Sequence, residues 1–159
     1  MALRFRVKVD PDGPPSSPLG AVLSNLLLPA RGTGRAAPTS PLFSGALPRL
    51  VYFRSKGCTV CDLVDMRVGQ ACARANVTLS IVDRWPKEGR PTGSAPYLDD
   101  VGNVVDADGS VNALFGVAVY PTFVLIGADG RVAWRGVGVR GETDTFDAYL
   151  ARQFERLSR

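Results

Sequence analysis

At 159 residues, the chain fits one domain with room for a full core and one appended segment. Hydrophobic residues at 45% and charged residues at 21% are ordinary for a globular protein. The net charge of +4 is scattered from Arg4 to Arg159 with no basic block interleaved with aromatics, which argues against nucleic acid as a partner. Histidine is absent, which removes Ser-His-Asp and Cys-His catalysis and most zinc and copper sites.

The chain opens with Leu3 to Val9 alternating apolar and basic residues, as an edge strand does, and Pro11-Asp12-Gly13-Pro14-Pro15 ends it. A signal peptide would carry a continuous apolar stretch after its charges, and none stands here. The expectation is a cytoplasmic chain, or an extracytoplasmic one if a leader precedes it. Leu19 to Leu28 reads as one short helix stopped by Pro29. Arg31 to Pro41 is a connector rich in Gly, Pro, Thr and Ser. Residues 1–47 are therefore expected to be an N-terminal extension packed on a main domain of residues 48–159.

Leu50-Val51-Tyr52-Phe53 is a short buried strand, and Ser55-Lys56-Gly57 is the turn that leaves it. A helix then runs from Cys58 to Ala75, with Val60, Val64, Val68, Ala71, Cys72 and Ala75 at helical spacing. Asn76 stops it, and Val77 to Val82 is the second strand. Strand–helix–strand over about 30 residues implies a parallel pair with a right-handed crossover. Residues 83–96 form a loop, and Tyr97 to Asp108 holds one short strand. Ser110 to Phe115 is a brief helix closed by Gly116. Thr122 to Ile126 and Arg131 to Gly136 are a hairpin about Gly127-Ala128-Asp129-Gly130. Glu142 to Leu157 is the closing helix, with Thr143 at its start and Phe146, Tyr149, Leu150, Phe154 and Leu157 on one face. No apolar stretch is long enough to span a membrane.

The chemistry sits at Cys58-Thr59-Val60-Cys61. The two sulfurs fall on the first turn of a helix, where unpaired N–H groups and the positive end of the dipole stabilise a thiolate. A spacing of three puts them on one face, close enough to bridge. The bland readings are a pair of structural cysteines, or half of a metal site that only Cys72 and carboxylates remain to complete. Cys72 lies roughly 16 Å along the helix from Cys61, whereas a disulfide needs Cα atoms within about 7 Å. It is expected to be a small buried apolar residue.

The order β-α-β, β-hairpin, α joins Cys58-x-x-Cys61 at the first strand-to-helix join and Tyr120-Pro121-Thr122 before the hairpin. Together these resemble the thioredoxin superfamily. The stretch from Asp106-Ala107-Asp108-Gly109-Ser110 to Ile126, with Asp129-Gly130-Arg131, is most similar to its redoxin branch of TlpA- and ResA-like disulfide reductases. The resemblance covers roughly residues 48–157. It implies an α/β thioredoxin-like fold, a central mixed sheet with helices on both faces. It implies Cys58 as the exposed nucleophile, Cys61 as the resolving cysteine and a Cys58–Cys61 disulfide in place of any bound cofactor. It also implies a cis Tyr120-Pro121 bond beside the disulfide, Tyr120 offering its backbone to substrate. Lys56, Gly57, Thr59 and Val60 are supporting residues. The partners would be protein disulfides or dithiols and an upstream thiol electron donor.

Two departures bear on reactivity. Tyr52 stands where thioredoxin keeps a buried Asp, and Gly57 where it has Trp. The proton route is thus unassigned among Lys56, Asp62, Asp65 and an acid of the 83–108 stretch such as Glu88. Thr59-Val60 lacks both the His of strong oxidants and the Pro of thioredoxin, so the expectation is intermediate acidity at Cys58 and a reductant. The rival functions are a redoxin-type peroxidase and a binding module using the dithiol as a switch. Peroxiredoxins place Thr three residues before the reactive cysteine; Cys58 fills that place before Cys61.

Overall fold

The computed structural model describes residues 27–28, 40–41, 48–84, 96–99, 101–129 and 131–158. Of the N-terminal extension, Leu27–Leu28 (β1) and Ser40–Pro41 (β2) pair antiparallel. This corrects two expectations, a helix running through Leu28 and a connector running through Pro41. Pro29 pushes the residue before it towards extended backbone, which suits a strand. The strand expected over Leu3 to Val9 and the rest of that helix lie outside the described residues, as does most of the 83–96 loop.

The main sheet has six strands in the order β5-β6-β4-β3-β7-β8. They are β3 (Arg49–Ser55), β4 (Thr78–Arg84), β5 (Tyr97–Leu98), β6 (Val104–Val105), β7 (Thr122–Ile126) and β8 (Val132–Val137). β3 runs parallel to β4, which runs parallel to β6; β7 lies antiparallel to both β3 and β8. The single strand expected in Tyr97 to Asp108 is two, β5 and β6, paired antiparallel. Asp99 turns the chain between them by accepting the backbone N–H groups of Val101 and Asn103 through Oδ1.

β3 is the central element because it is apolar on both faces: Leu50, Val51, Tyr52 and Phe53 are all fully buried. Its period of two divides the core. Leu50 and Tyr52 join Val64, Val68, Phe123, Phe146 and Leu150 on one face, under helices α1 (Thr59–Ala75) and α3 (Phe146–Phe154). Val51 and Phe53 join Val82, Val111, Phe115, Val124 and Ile126 on the other, under α2 (Ser110–Leu114). Each buried aromatic or branched side chain contributes about 1.5–3 kcal/mol through area removed from water. The ring of Phe123 ties the first face together, stacked on Tyr52 at 5.0 Å and tilted against Phe146 at 5.2 Å. The α/β class, with a mixed sheet and helices on both faces, is as expected.

α1 ends where foreseen, with Asn76 in the left-handed conformation at φ 55°. Its buried face is Cys61, Val64, Val68, Ala71 and Cys72. Val60 and Ala75, expected on that face, are exposed instead. The inward stripe begins one residue later, at Cys61, which turns Val60 outward beside the motif. The closing helix is also shorter than Glu142 to Leu157. Single 3₁₀ turns, Thr143–Thr145 and Glu155–Ser158, flank α3, so Thr143 starts a 3₁₀ turn and not the α-helix.

Candidate functional site

Strand register brings the two motifs to one end of the central strands. β3 ends at Ser55 and the chain turns into α1; Phe53 pairs with Thr122, the first residue of the antiparallel β7. Pro121 therefore sits alongside the outgoing end of β3, next to the start of α1. The Tyr120-Pro121 bond is cis. The parallel strands β4 and β6 point their carboxyl ends the same way, and Lys56 N–H donates to the carbonyl of Arg84 at 3.2 Å. Crevices at the carboxyl ends of parallel strands are where open α/β sheets present their sites.

The turn into α1 needs a positive φ, and Gly57 supplies it at +84°. Lys56 and Gly57 are both exposed. Cys58 is the N-cap of α1: its carbonyl accepts from Asp62 N–H, and its Sγ accepts from the backbone N–H of Cys61 at 3.2 Å. A sulfur is thus held where the helix leaves unpaired donors. Cys58 is half-buried whereas Cys61 is 0% exposed. The two form a disulfide with Cα atoms 5.2 Å apart. Thr59 and Val60 fill the exposed first turn between them, Val60 at 40% exposure.

Cys72 is the free cysteine among the described residues, and it is buried. Burial pushes its thiol up to about 12, so it stays neutral and unreactive. Among the described residues, no group of three or more His, Cys, Asp or Glu is placed to hold a metal ion.

Tyr52 belongs to the site in a way its sequence position only hinted at. Its hydroxyl lies 3.2 Å from the carbonyl of Cys61 and 2.7 Å from Oδ1 of Asp65. Burial first, and then the hydrogen bond and charge of Asp65, raise the phenol well above its ordinary value, so it remains a donor. Asp65 in turn pairs with Arg54, whose guanidinium also reaches Asp62 at 2.9 Å and Asp83 at 3.0 Å. Burial raises the Asp83 carboxyl; Arg54 works against the rise and Asp65 adds to it. Of the acids considered for the proton route, Asp65 is thus linked to the motif through Tyr52, whereas Asp62 is an exposed partner of Arg54. The charge of Lys56 lowers the Asp83 carboxyl against its burial, and Glu88 lies outside the described residues.

Across the sheet, the residue before the cis-proline is equally well anchored. Tyr120 donates its hydroxyl to Oδ1 of Asn112 at 2.7 Å, and Asn112 Nδ2 donates to Oδ2 of Asp106 at 2.5 Å. Asp106, fully buried, also accepts the backbone N–H groups of Val111 and Asn112 at 3.1 and 2.7 Å. Sequence reasoning missed Arg54 and Asn112, and covered Asp83 and Asp106 only among the acids of the 83–108 stretch. The Asp-x-Asp-Gly-Ser turn ahead of a short helix was a signal for Asp106 as a helix-start acceptor; the other three carried none.

No protein-family model matches the chain, and no curated protein does. Solved structures do. DsbF from MTB, in mixed oxidised and reduced forms, is 25% identical over 69% of this chain and 80% of its own, with a TM-score of 0.51. A protein named as the thiol:disulfide interchange protein DsbE of Chlorobium tepidum is 22% identical over 83% of this chain and 92% of its own, at a TM-score of 0.56. The bacterioferritin comigratory protein of Xanthomonas campestris, solved for insight into alkyl peroxide reduction, is 15% identical over 87% and 94%, also at 0.56. The fold is therefore the thioredoxin fold, as expected. This chain is a thioredoxin-fold protein with a Cys-x-x-Cys disulfide where β3 joins α1 and a cis-proline immediately before β7, whose first residue pairs with Phe53 of β3.

Proposed function

We propose that the protein is a thiol–disulfide oxidoreductase that exchanges its Cys58–Cys61 pair with protein disulfides, acting as a reductant. The observation that carries this reading is the asymmetry of the pair: a half-buried cysteine at a helix N-cap, bridged to one that is fully buried. In the reduced protein, the Cys58 thiolate attacks one sulfur of a substrate disulfide and expels the other as a thiolate. Cys61, deprotonated, then attacks Cys58 Sγ. The second substrate sulfur leaves as a thiol and the Cys58–Cys61 disulfide remains. Two electrons and two protons pass to the substrate, and a dithiol donor returns them to the pair. The cysteines carry the electrons themselves, so the reaction requires no bound cofactor. Lys56, Gly57, Thr59 and Val60 shape the rim around Cys58, and the backbone at Tyr120-Pro121 receives the substrate chain.

The test is turnover. The wild-type protein is expected to accelerate the reduction of insulin disulfides by dithiothreitol, and Cys58→Ser to fall to the uncatalysed rate. Undiminished turnover by Cys58→Ser would defeat the assignment.

A further inference from the structure

Tyr120 is bulky where it adjoins the cis-proline, and a ring of that size lying over the disulfide would obstruct a polypeptide. The ring does not lie there. It packs against the α2-side core, on the face of the sheet opposite the helix that carries the cysteines. Asn112 holds it in place. Its carbonyl accepts Val117 N–H at 2.8 Å, its side-chain Oδ1 accepts the Tyr120 hydroxyl, and it is itself buried. One residue thus grips the 117–121 loop at both ends.

The orientation of Asn112 is not free either. Asp106 accepts its Nδ2, so Oδ1 is left facing Tyr120. Asp106 is fixed in turn at the end of β6: Arg84 donates to its carbonyl and to that of Ala107, each at 3.1 Å. Gly109 leaves room for that guanidinium, since a Cβ there would stand 2.9 Å from its Nη2. Burial raises the Tyr120 phenol, with Arg84 pulling against the rise and Asp106 adding to it, so the hydroxyl remains a donor. Every proton in the chain Tyr120 to Asn112 to Asp106 has one direction.

We propose that Asn112, oriented by Asp106, is the positioning residue that selects polypeptide disulfides over small ones. By drawing the Tyr120 ring into the α2-side core, it opens the ledge at Val119-Tyr120-Pro121 to an extended chain flanking the disulfide. This rests on the exchange reading above. A small disulfide touches only Cys58 and gains nothing from the ledge; a protein disulfide spans both. Val119, 55% exposed, offers that chain an apolar contact.

The experiment compares wild type, Asn112→Leu and Tyr120→Phe on insulin and on glutathione disulfide. For insulin, Asn112→Leu is expected to raise KM about tenfold with kcat nearly unchanged, as loss of binding made equally in ground and transition states does. Its kcat/KM on glutathione disulfide and the potential of the Cys58–Cys61 couple should stay at the wild-type values. Tyr120→Phe removes only the hydroxyl and should raise the insulin KM in the same direction by about threefold. An unchanged insulin KM in both variants overturns the inference, and so does an equal loss on both substrates. A wild-type protein that exchanges with neither substrate defeats the exchange reading itself, and this inference with it.

Discussion

The sheet carries a polar chain on each face, and the two end at different parts of the site. On the α1 side, Asp83, Arg54 and Asp65 lead to the Tyr52 hydroxyl and so to the carbonyl of Cys61. On the α2 side, Asp106 and Asn112 lead to the Tyr120 hydroxyl and the cis-proline loop. Each runs through a tyrosine whose phenol is kept protonated by burial. The first holds ionic groups half in solvent and touches the helix of the dithiol. The second centres on a carboxylate with no exposure and touches the cis-proline loop. On the proposed exchange reading, the first chain bears on the dithiol and the second on recognition of the substrate.

Substitutions in each chain can break that division. Asp106→Ala strips three N–H donors of their acceptor and should cost the largest amount, about 3 kcal/mol in denaturant unfolding. The potential of the couple should not move. Tyr52→Phe should cost only about 1 kcal/mol, because Asp65 keeps Arg54. Without the hydroxyl, however, the Asp65 charge bears more directly on the sulfurs and disfavours the thiolate. The couple should become more reducing by roughly 10 to 20 mV. A shifted potential in Asp106→Ala together with an unmoved one in Tyr52→Phe would reverse the assignment of the two faces.

The smallest effect sharpens the comparison through pH. The Asp83 carboxyl is raised in the folded protein, so the folded state holds that proton at pH values where the unfolded chain has lost it. Stability therefore falls as pH rises from the ordinary carboxylate value through the raised one, and the cost persists at neutral pH. Asp83→Asn should give a slightly higher Tm than wild type at neutral pH, and the gain should vanish near pH 3, roughly where both states are protonated. A lower Tm at neutral pH would mean that the Arg54 pairing outweighs burial.

Much of this was legible in the chain, for identifiable reasons. β3, β4, the β7–β8 hairpin and α1 carry periods of two or 3.6 with clear stops, and their bounds shifted by only one or two residues. Cys58 and Cys61 announce themselves by spacing, and Tyr120-Pro121 by its place before the hairpin. Short strands were harder: two residues at β5 and two at β6 have no period to display. The side of α1 that faces inward was off by one residue at each end, because an alanine and a valine suit either face. The polar chains were hidden for another reason. Tyr52 to Asp65 and Asn112 to Tyr120 are contacts between separate elements, set by register and turn geometry that no local pattern encodes.

The account depends on Cys58 being the sulfur that meets substrate and Cys61 the one that releases it. Cys61→Ser, reduced and mixed with insulin, tests both roles at once by mass spectrometry of the covalent products. The prediction is a stable adduct linked through Cys58 and released by dithiothreitol, with none in Cys58→Ser. No adduct at an accessible Cys58, or an adduct carried by Cys72, would contradict the account.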